Sequence, residues 1–221
     1  KGSCFNGKFR VLSDQELMKQ EEFMDLKNSE EMIQRLRRGI YSDIEDYDAE
    51  IRFANAQGLG KYQSDTTGDV RALSFSLDLK GKIKDHIGDS RQDFNANSTP
   101  MFAVNNIEEF LGVMGVVTIP SGVVRFFSDL KNMKVPNASS AGLGTAYKNL
   151  ASVANGIKAI LDNSRTDVLS YATEQYWGNV PYTHGIEKNG KASDLVKFKL
   201  TPCDGNIERQ SSKEKADDYL Q

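Results

Sequence analysis

Polar and apolar residues alternate over Gly7-Lys8-Phe9-Arg10-Val11-Leu12, the period-2 spacing of a half-buried strand, and predict an opening β-strand. From Ser13 to Arg38 the period lengthens to that of a helix, with Leu17, Phe23, Met24 and Leu26 apolar, then Met32, Ile33 and Leu36. Asn28 followed by Glu31 is an N-cap signal for a second helix, and Arg37, Arg38 and Gly39 suit its end by dipole and C′ preference. Strands are predicted at Ala49 to Ala56 and at Val70 to Leu79, the latter alternating Val70, Leu73, Phe75, Leu77 and Leu79 with smaller or polar residues. Gly58 to Gly68 reads as a glycine and polar loop, and Lys80 to Asn95 as a polar connection. Thr99 to Val104 reads as a short apolar strand entered through Pro100.

Helical spacing dominates the second half. Asn106 with Glu109 forms a cap pattern ahead of Phe110, Leu111, Val113 and Met114, and Ser121 to Met133 carries its own apolar face. Ala141 to Leu161 is a long helical candidate despite Gly142, Gly144 and Gly156, and Asn163 or Ser164 is placed to cap a further helix through Tyr176. Strand character returns in Leu195-Val196-Lys197-Phe198-Lys199-Leu200, and the tail from Asn206 to Gln221 is charged. Strands first, helices in the middle and one strand near the end make an α+β chain rather than an alternating βαβ one.

Composition narrows the function classes. The 221 residues are 38% hydrophobic and 27% charged, with 28 basic and 31 acidic residues well mixed along the chain, which predicts a soluble globular protein. No basic stripe suits nucleic acid, and no apolar run has the length of a membrane span. The chain opens on Lys1, so the reading is of a single domain over 1–221 that is incomplete at both ends, exported after removal of an amino-terminal segment or begun within a domain. Its helical excursions cover 13–48 and 106–176.

Ordinary catalytic patterns are sparse. His86 and His184 each stand alone in a polar context and read as solvated loop histidines. There is no GxSxG elbow, and Gly58-Leu59-Gly60 and Gly142-Leu143-Gly144 complete no phosphate-binding motif. Acidic pairs such as Glu21-Glu22, Glu30-Glu31 and Glu108-Glu109 read as solvated helix faces and first-turn acids. Cys4 and Cys203 lack metal-site spacing and are either two buried thiols or one bridge between the first and last strands.

Several short segments, in their order and spacing, resemble the catalase-like superfamily. Lys1-Gly2-Ser3-Cys4-Phe5-Asn6-Gly7-Lys8-Phe9 is similar to the strand that follows the family's essential histidine, Ile51-Arg52-Phe53 to its Val-Arg-Phe, and Asp69-Val70-Arg71 to its Asp-Pro-Arg. Asn97-Ser98-Thr99-Pro100-Met101-Phe102 is similar to Asn-Asn-Thr-Pro-Ile-Phe. Tyr176-Trp177-Gly178-Asn179-Val180-Pro181-Tyr182 and Val196-Lys197-Phe198-Lys199-Leu200-Thr201-Pro202 resemble a pair of motifs in the small catalase-related proteins.

The resemblance implies an antiparallel β-barrel of catalase-like type with helical insertions. It also implies haem as cofactor, with hydrogen peroxide or an organic (fatty-acid) hydroperoxide as substrate. Arg52 would contact a haem propionate, Asn97 would be the distal polar residue, and Phe110 would place an aromatic ring over the macrocycle.

The departures are as definite. Ala54, Val70, Ala72 and Ser98 replace the family's serine, proline, glycine and second asparagine. No histidine stands near the amino terminus to move the peroxide proton, and apart from Arg37 to Tyr41 in the early helical stretch no Arg-x-x-x-Tyr is present to bring the axial tyrosine. Two readings follow. In one, a haem peroxidase or catalase-like protein receives base and iron ligand from a second polypeptide segment. In the other, a non-enzymatic binding or structural protein keeps the fold without haem, Arg52 forming a barrel ion pair, Asn97 capping a turn and Phe110 packing in the core.

Overall fold

A computed structural model describes residues 2–24, 27–55, 69–81, 90–117, 122–131, 150–163, 170–186 and 192–203. Its centre is a six-stranded antiparallel sheet that curls into a half-barrel. The first four strands are β1 (Gly2–Arg10), β2 (Asp46–Asn55), β3 (Arg71–Asp78) and β4 (Arg91–Asn97). Two short strands complete it, β5 (Tyr176–Gly178) and β8 (Lys199–Leu200), in the order β1-β2-β3-β4-β5-β8. A separate hairpin joins β6 (Tyr182–Ile186) to β7 (Ala192–Val196).

Directly paired residues of an antiparallel ladder share a face, so the register sorts the sheet into two sides. Phe9, Tyr47, Ala49, Ile51, Phe75, Leu77 and Phe94 turn to one side and pack with Val11, Ile40, Leu79 and Phe198 as the sheet core. The other side is polar, from Lys8 and Asp48 through Glu50 and Arg52 to Asn95 and Asn97.

Three expectations about strands are corrected. Arg91–Asn97 lies largely inside the predicted polar connection yet forms β4, because Phe94 and Ala96 point inward and Phe94 stacks on Phe75 at 4.7 Å. Thr99 to Val104 is not a strand. There Asn97 Oδ1 accepts from Thr99 N (3.2 Å), and the single Thr99 hydroxyl proton is shared between Asn97 Oδ1 (2.8 Å) and Met101 O (3.0 Å). These local bonds compete with a ladder and bend the chain. The predicted strand Leu195 to Leu200 is split, its first part pairing with β6 and its last with β5.

The early helices are α1 (Asp14–Leu17), α2 (Glu21–Met24) and α3 (Ser29–Leu36). Ser13 and Glu16 make a reciprocal capping box at α1, whereas Asn28 at the start of α3 forms no side-chain cap bond. Gly39, with φ of +58°, ends this excursion in the left-handed conformation that glycine tolerates.

A second core sits among α4 (Ile107–Val117), α5 (Gly122–Lys131) and α6 (Leu150–Asn163), built from Val104, Val113, Val116, Phe126, Val153 and Ile157. Residues 141–149 of the predicted long helix lie outside the described residues. Tyr176, expected at the end of a further helix, instead opens β5; among the described residues just before it Tyr171–Thr173 forms a single 3-10 turn, and 164–169 lie outside the described residues. No helix among the described residues is long and apolar enough to cross a membrane.

The Asn106 cap is observed: its Oδ1 accepts from Glu109 N at 2.9 Å, and the Glu109 carboxylate accepts from Asn105 N at 2.9 Å. The Asn105 backbone bond foremost, aided by Ser152, Asn106 and Asn105 side chains, holds the Glu109 carboxyl below its ordinary 4.5 against the opposing effect of burial. A depressed folded-state pKa contributes stability that is complete above the unfolded value and is lost as pH falls through the folded one. Melting temperatures of the protein and of Glu109→Gln should therefore differ near pH 7 and converge toward about pH 3. A gap that stays constant over that range would contradict the role.

Candidate functional site

The polar face of the sheet is divided by charge. Its lower rows pair Lys8 with Asp48 and set Arg91 against Glu50 at 2.6 Å and Ser76 Oγ at 3.0 Å. An open cleft there is lined by Asn6, Asp48, Glu50, Ser76, Asp78 and Arg91. These exposed pairs stabilise little, since each charge is well solvated. The two rows above carry no acid: Cys4, Arg52, Ser74 and Asn95 stand in one, and Ala54, Ala72, Asn97, Trp177 and Lys199 in the next.

Arg52 and Asn97 thus share a face, two strands apart and two residues offset along the strand. Strand spacing and rise put their Cα atoms about 12 Å apart. Arg52 is exposed, and among the described residues no carboxylate pairs with it. Asn97 is half-buried, and its carbonyl is committed to the Thr99 turn, which leaves Nδ2 as the end able to donate outward. Between them the ladder presents only the small side chains of Ala54, Ala72 and Ser74 and, two residues from Asn97, that of Asn95.

The turn that carries Asn97 is held from two directions. Arg71 N donates to Ser98 Oγ at 3.0 Å while Ser98 N donates back to Arg71 O at 2.8 Å. Lys197 Nζ donates to Pro100 O at 2.7 Å. Arg71 itself is 1% exposed, with its guanidinium 5.6 Å from the Tyr171 ring centre and an N–H donated to Asp69 O at 3.2 Å. In the sequence Arg71 stands out only as part of Asp69-Val70-Arg71. Its parity with Leu73, Phe75 and Leu77 was the signal that it points inward.

Phe110 is not on this face. It projects from α4, exposed, and stacks on Phe102 at 6.0 Å. The structure therefore brings Arg52 and Asn97 onto one surface and places Phe110 on the helical part.

Two further expectations are corrected. His184 is buried in β6 rather than solvated in a loop, its Nε2 at 3.0 Å from Leu36 O and its ring 5.6 Å from that of Tyr41, because the hairpin lies against the end of α3. Cys4 and Cys203 are exposed free thiols, so neither the buried nor the bridged alternative holds. His86 and Tyr219 lie outside the described residues.

Three tyrosine hydroxyls among the described residues are held in hydrogen bonds within the protein. Tyr171 donates its hydroxyl to Asn55 Oδ1, Tyr176 donates to Tyr171 O at 2.9 Å, and Tyr182 accepts from Asn95 N at 3.4 Å. Burial foremost, and then the Glu174 carboxylate, push the Tyr176 hydroxyl far above its ordinary value, which keeps it a protonated donor. Among the described residues there is also no cluster of His, Cys, Asp and Glu able to hold a metal. No protein-family model matches the chain, and no curated protein matches it in sequence.

Proposed function

We propose that this chain is the distal-side module of a haem-dependent peroxidase or catalase-like protein that acts on hydrogen peroxide or an organic hydroperoxide, its curled sheet forming part of a catalase-type barrel. The observation that carries the reading is the placement of Arg52 and Asn97 together in the acid-free rows of one sheet face. A guanidinium that pairs with no carboxylate among the described residues suits a propionate, and charge-assisted bonding makes such a contact strong. An amide whose carbonyl is tied down offers its N–H2 to a bound peroxide oxygen without first reorganising.

Haem would supply the oxidising centre. The chain's own residues would neutralise its carboxylate (Arg52) and orient peroxide (Asn97), while Phe110, standing on α4 away from this face, takes no part. An amide cannot relay a proton, so the base, like the iron ligand, is assigned to a second polypeptide segment.

A second reading has its own support. Asn97 does cap a turn, and the hydroxyls of Tyr171, Tyr176 and Tyr182 are engaged, as in a non-enzymatic binding or structural protein that has lost haem.

Absorption spectra of protein purified with intact flanking segments from haem-supplemented cells separate the two, a Soret band being expected for the first. Asn97→Ala should slow peroxide turnover by roughly 10²-fold while leaving that band nearly intact, as loss of one positioned donor does. Arg52→Ala should instead weaken haem retention by about 10-fold. No Soret band, or equal and negligible effects of both substitutions, would sink the assignment.

A further inference from the structure

The sheet begins on a strand whose outer side is open. β1 lies at the edge, and its register with β2 runs without a bulge from Gly2 opposite Ala54 to Arg10 opposite Asp46. Just beyond that run Val11 N donates to Glu45 O at 2.9 Å. By the alternation of an antiparallel ladder, Phe9, Gly7, Phe5 and Ser3 therefore turn their N–H and C=O groups to β2, and Arg10, Lys8, Asn6, Cys4 and Gly2 turn theirs outward. Among the described residues no hydrogen bond reaches these outward backbone groups, and Cys4, Asn6, Lys8 and Arg10 are exposed.

Such a row of unpaired backbone groups is a template for another extended strand, and proteins ordinarily blunt it with proline, a bulge or free charges. β1 has no proline and no bulge. Its two cations are drawn to acids of the same chain, Lys8 to Asp48 and Arg10 to Glu16 at 2.9 Å.

We propose that β1 pairs antiparallel with β1 of a second copy about a two-fold axis at Asn6, which joins two six-stranded sheets edge to edge. A two-fold contact needs an element that complements itself, and this strand does so in backbone, charge and shape. With the axis at Asn6, that residue faces the partner's Asn6, Cys4 faces the partner's Lys8 and Gly2 faces the partner's Arg10, so every outward residue of β1 enters a hydrogen-bonded pair. Moving the axis to Phe5 or Gly7 leaves one outward residue of each strand unpaired. No like charges meet in the Asn6 register.

The apolar side agrees. Phe5, 43% exposed on this edge, falls opposite the partner's Gly7. Gly7 must stay bare, because a Cβ there would lie 2.9 Å from Ile51 Cδ1, and an aromatic ring from the facing strand is what covers such a glycine. The inference goes beyond the haem reading and does not rest on it. Edge pairing leaves the rows of Arg52 and Asn97 uncovered on the sheet face and leaves the β8 edge for the second segment of that reading.

The full chain should have twice its 24.6 kDa mass by light scattering at micromolar concentration. Asn6→Pro should raise the dimer dissociation constant by at least about 100-fold, since it removes the central donor from both strands and sets a ring in its place. The Asn6 N–H points away from β2, so the variant breaks no bond of its own sheet and should keep the circular dichroism of the folded chain.

A second measurement does not depend on that variant. Facing Asn6 residues would have Cα atoms about 5.5 Å apart, within disulfide range, whereas the two Arg10 residues would be about 27 Å apart. With Cys4→Ser and Cys203→Ser in place, Asn6→Cys should oxidise to a covalent dimer and Arg10→Cys should not. A monomeric protein without the Asn6→Cys cross-link would overturn the proposal. So would a dimer that Asn6→Pro leaves intact, because its contact would then lie on another surface.

Discussion

Replacing Phe94 with alanine should cost about 3–5 kcal/mol of folding free energy, the range for emptying a large buried aromatic site. Phe94 is 7% exposed and lies parallel to Phe75 at 4.7 Å and 13°, edge-on to Phe198 at 5.4 Å, and 5.8 Å from Tyr182. Each such pair adds about 0.5–1.5 kcal/mol to simple area burial. The ring also has a topological role. Its strand reads Arg-Gln-Asp-Phe-Asn-Ala-Asn, with little intrinsic β preference, so Phe94 and Ala96 are what fasten β4 to the core.

Chemical denaturation of Phe94→Ala should show the loss, and amide exchange should show β4 opening first. Phe94→Leu should retain more than half of the stability. A loss below about 1 kcal/mol for the alanine variant would mean that the aromatic cluster is not what holds this edge of the core.

Gly156→Val should destabilise by about 3 kcal/mol, and even Gly156→Ala should be unfavourable. Helix propensity alone favours alanine over glycine by about 1 kcal/mol, so the sign depends on space. A Cβ at this position would lie 2.9 Å from Ala103 O, 3.0 Å from Val104 Cγ1 and 3.1 Å from Val113 Cγ2. One of those atoms is backbone and the other two belong to buried core residues, so none can swing aside. The steric cost therefore exceeds the propensity gain.

Thermal melts of Gly156→Ala, with Asn155→Ala as the exposed neighbour on the same helix, test this directly. If Gly156→Ala melted above the unaltered protein, the close approach of α4 to α6 would be wrong.

What could be read from the residues depended on whether a local rule was strong enough to stand alone. The alternation from Val70 to Leu79 did mark a strand, since period-2 burial needs only a sheet with one wet side. The Asn106 and Glu109 pattern marked a helix start because both partners of the cap lie within one turn. The Thr99 to Val104 strand failed for an equally local reason: side-chain bonds from Asn97 and Thr99 satisfied backbone groups that a ladder would otherwise have needed. For the candidate site, residue types and order pointed to Arg52, Asn97 and Phe110, but only the register could place the first two on one face and the third elsewhere.

By itself the sequence determined the mixed class of helix and sheet, the apolar inner side of β3 and the Asn106 cap of α4, all of which follow from chemistry between residues near in the chain. Tertiary structure alone decided that a polar segment becomes β4 and that the stretch from Leu195 to Leu200 divides between two sheets. It alone buried Arg71 and His184. Each of these outcomes depends on a partner far along the chain, Phe75 and Phe198 for β4, Tyr171 for Arg71, Leu36 for His184. The free energy of such contacts exists only once folding has brought distant segments together, and no local period records it.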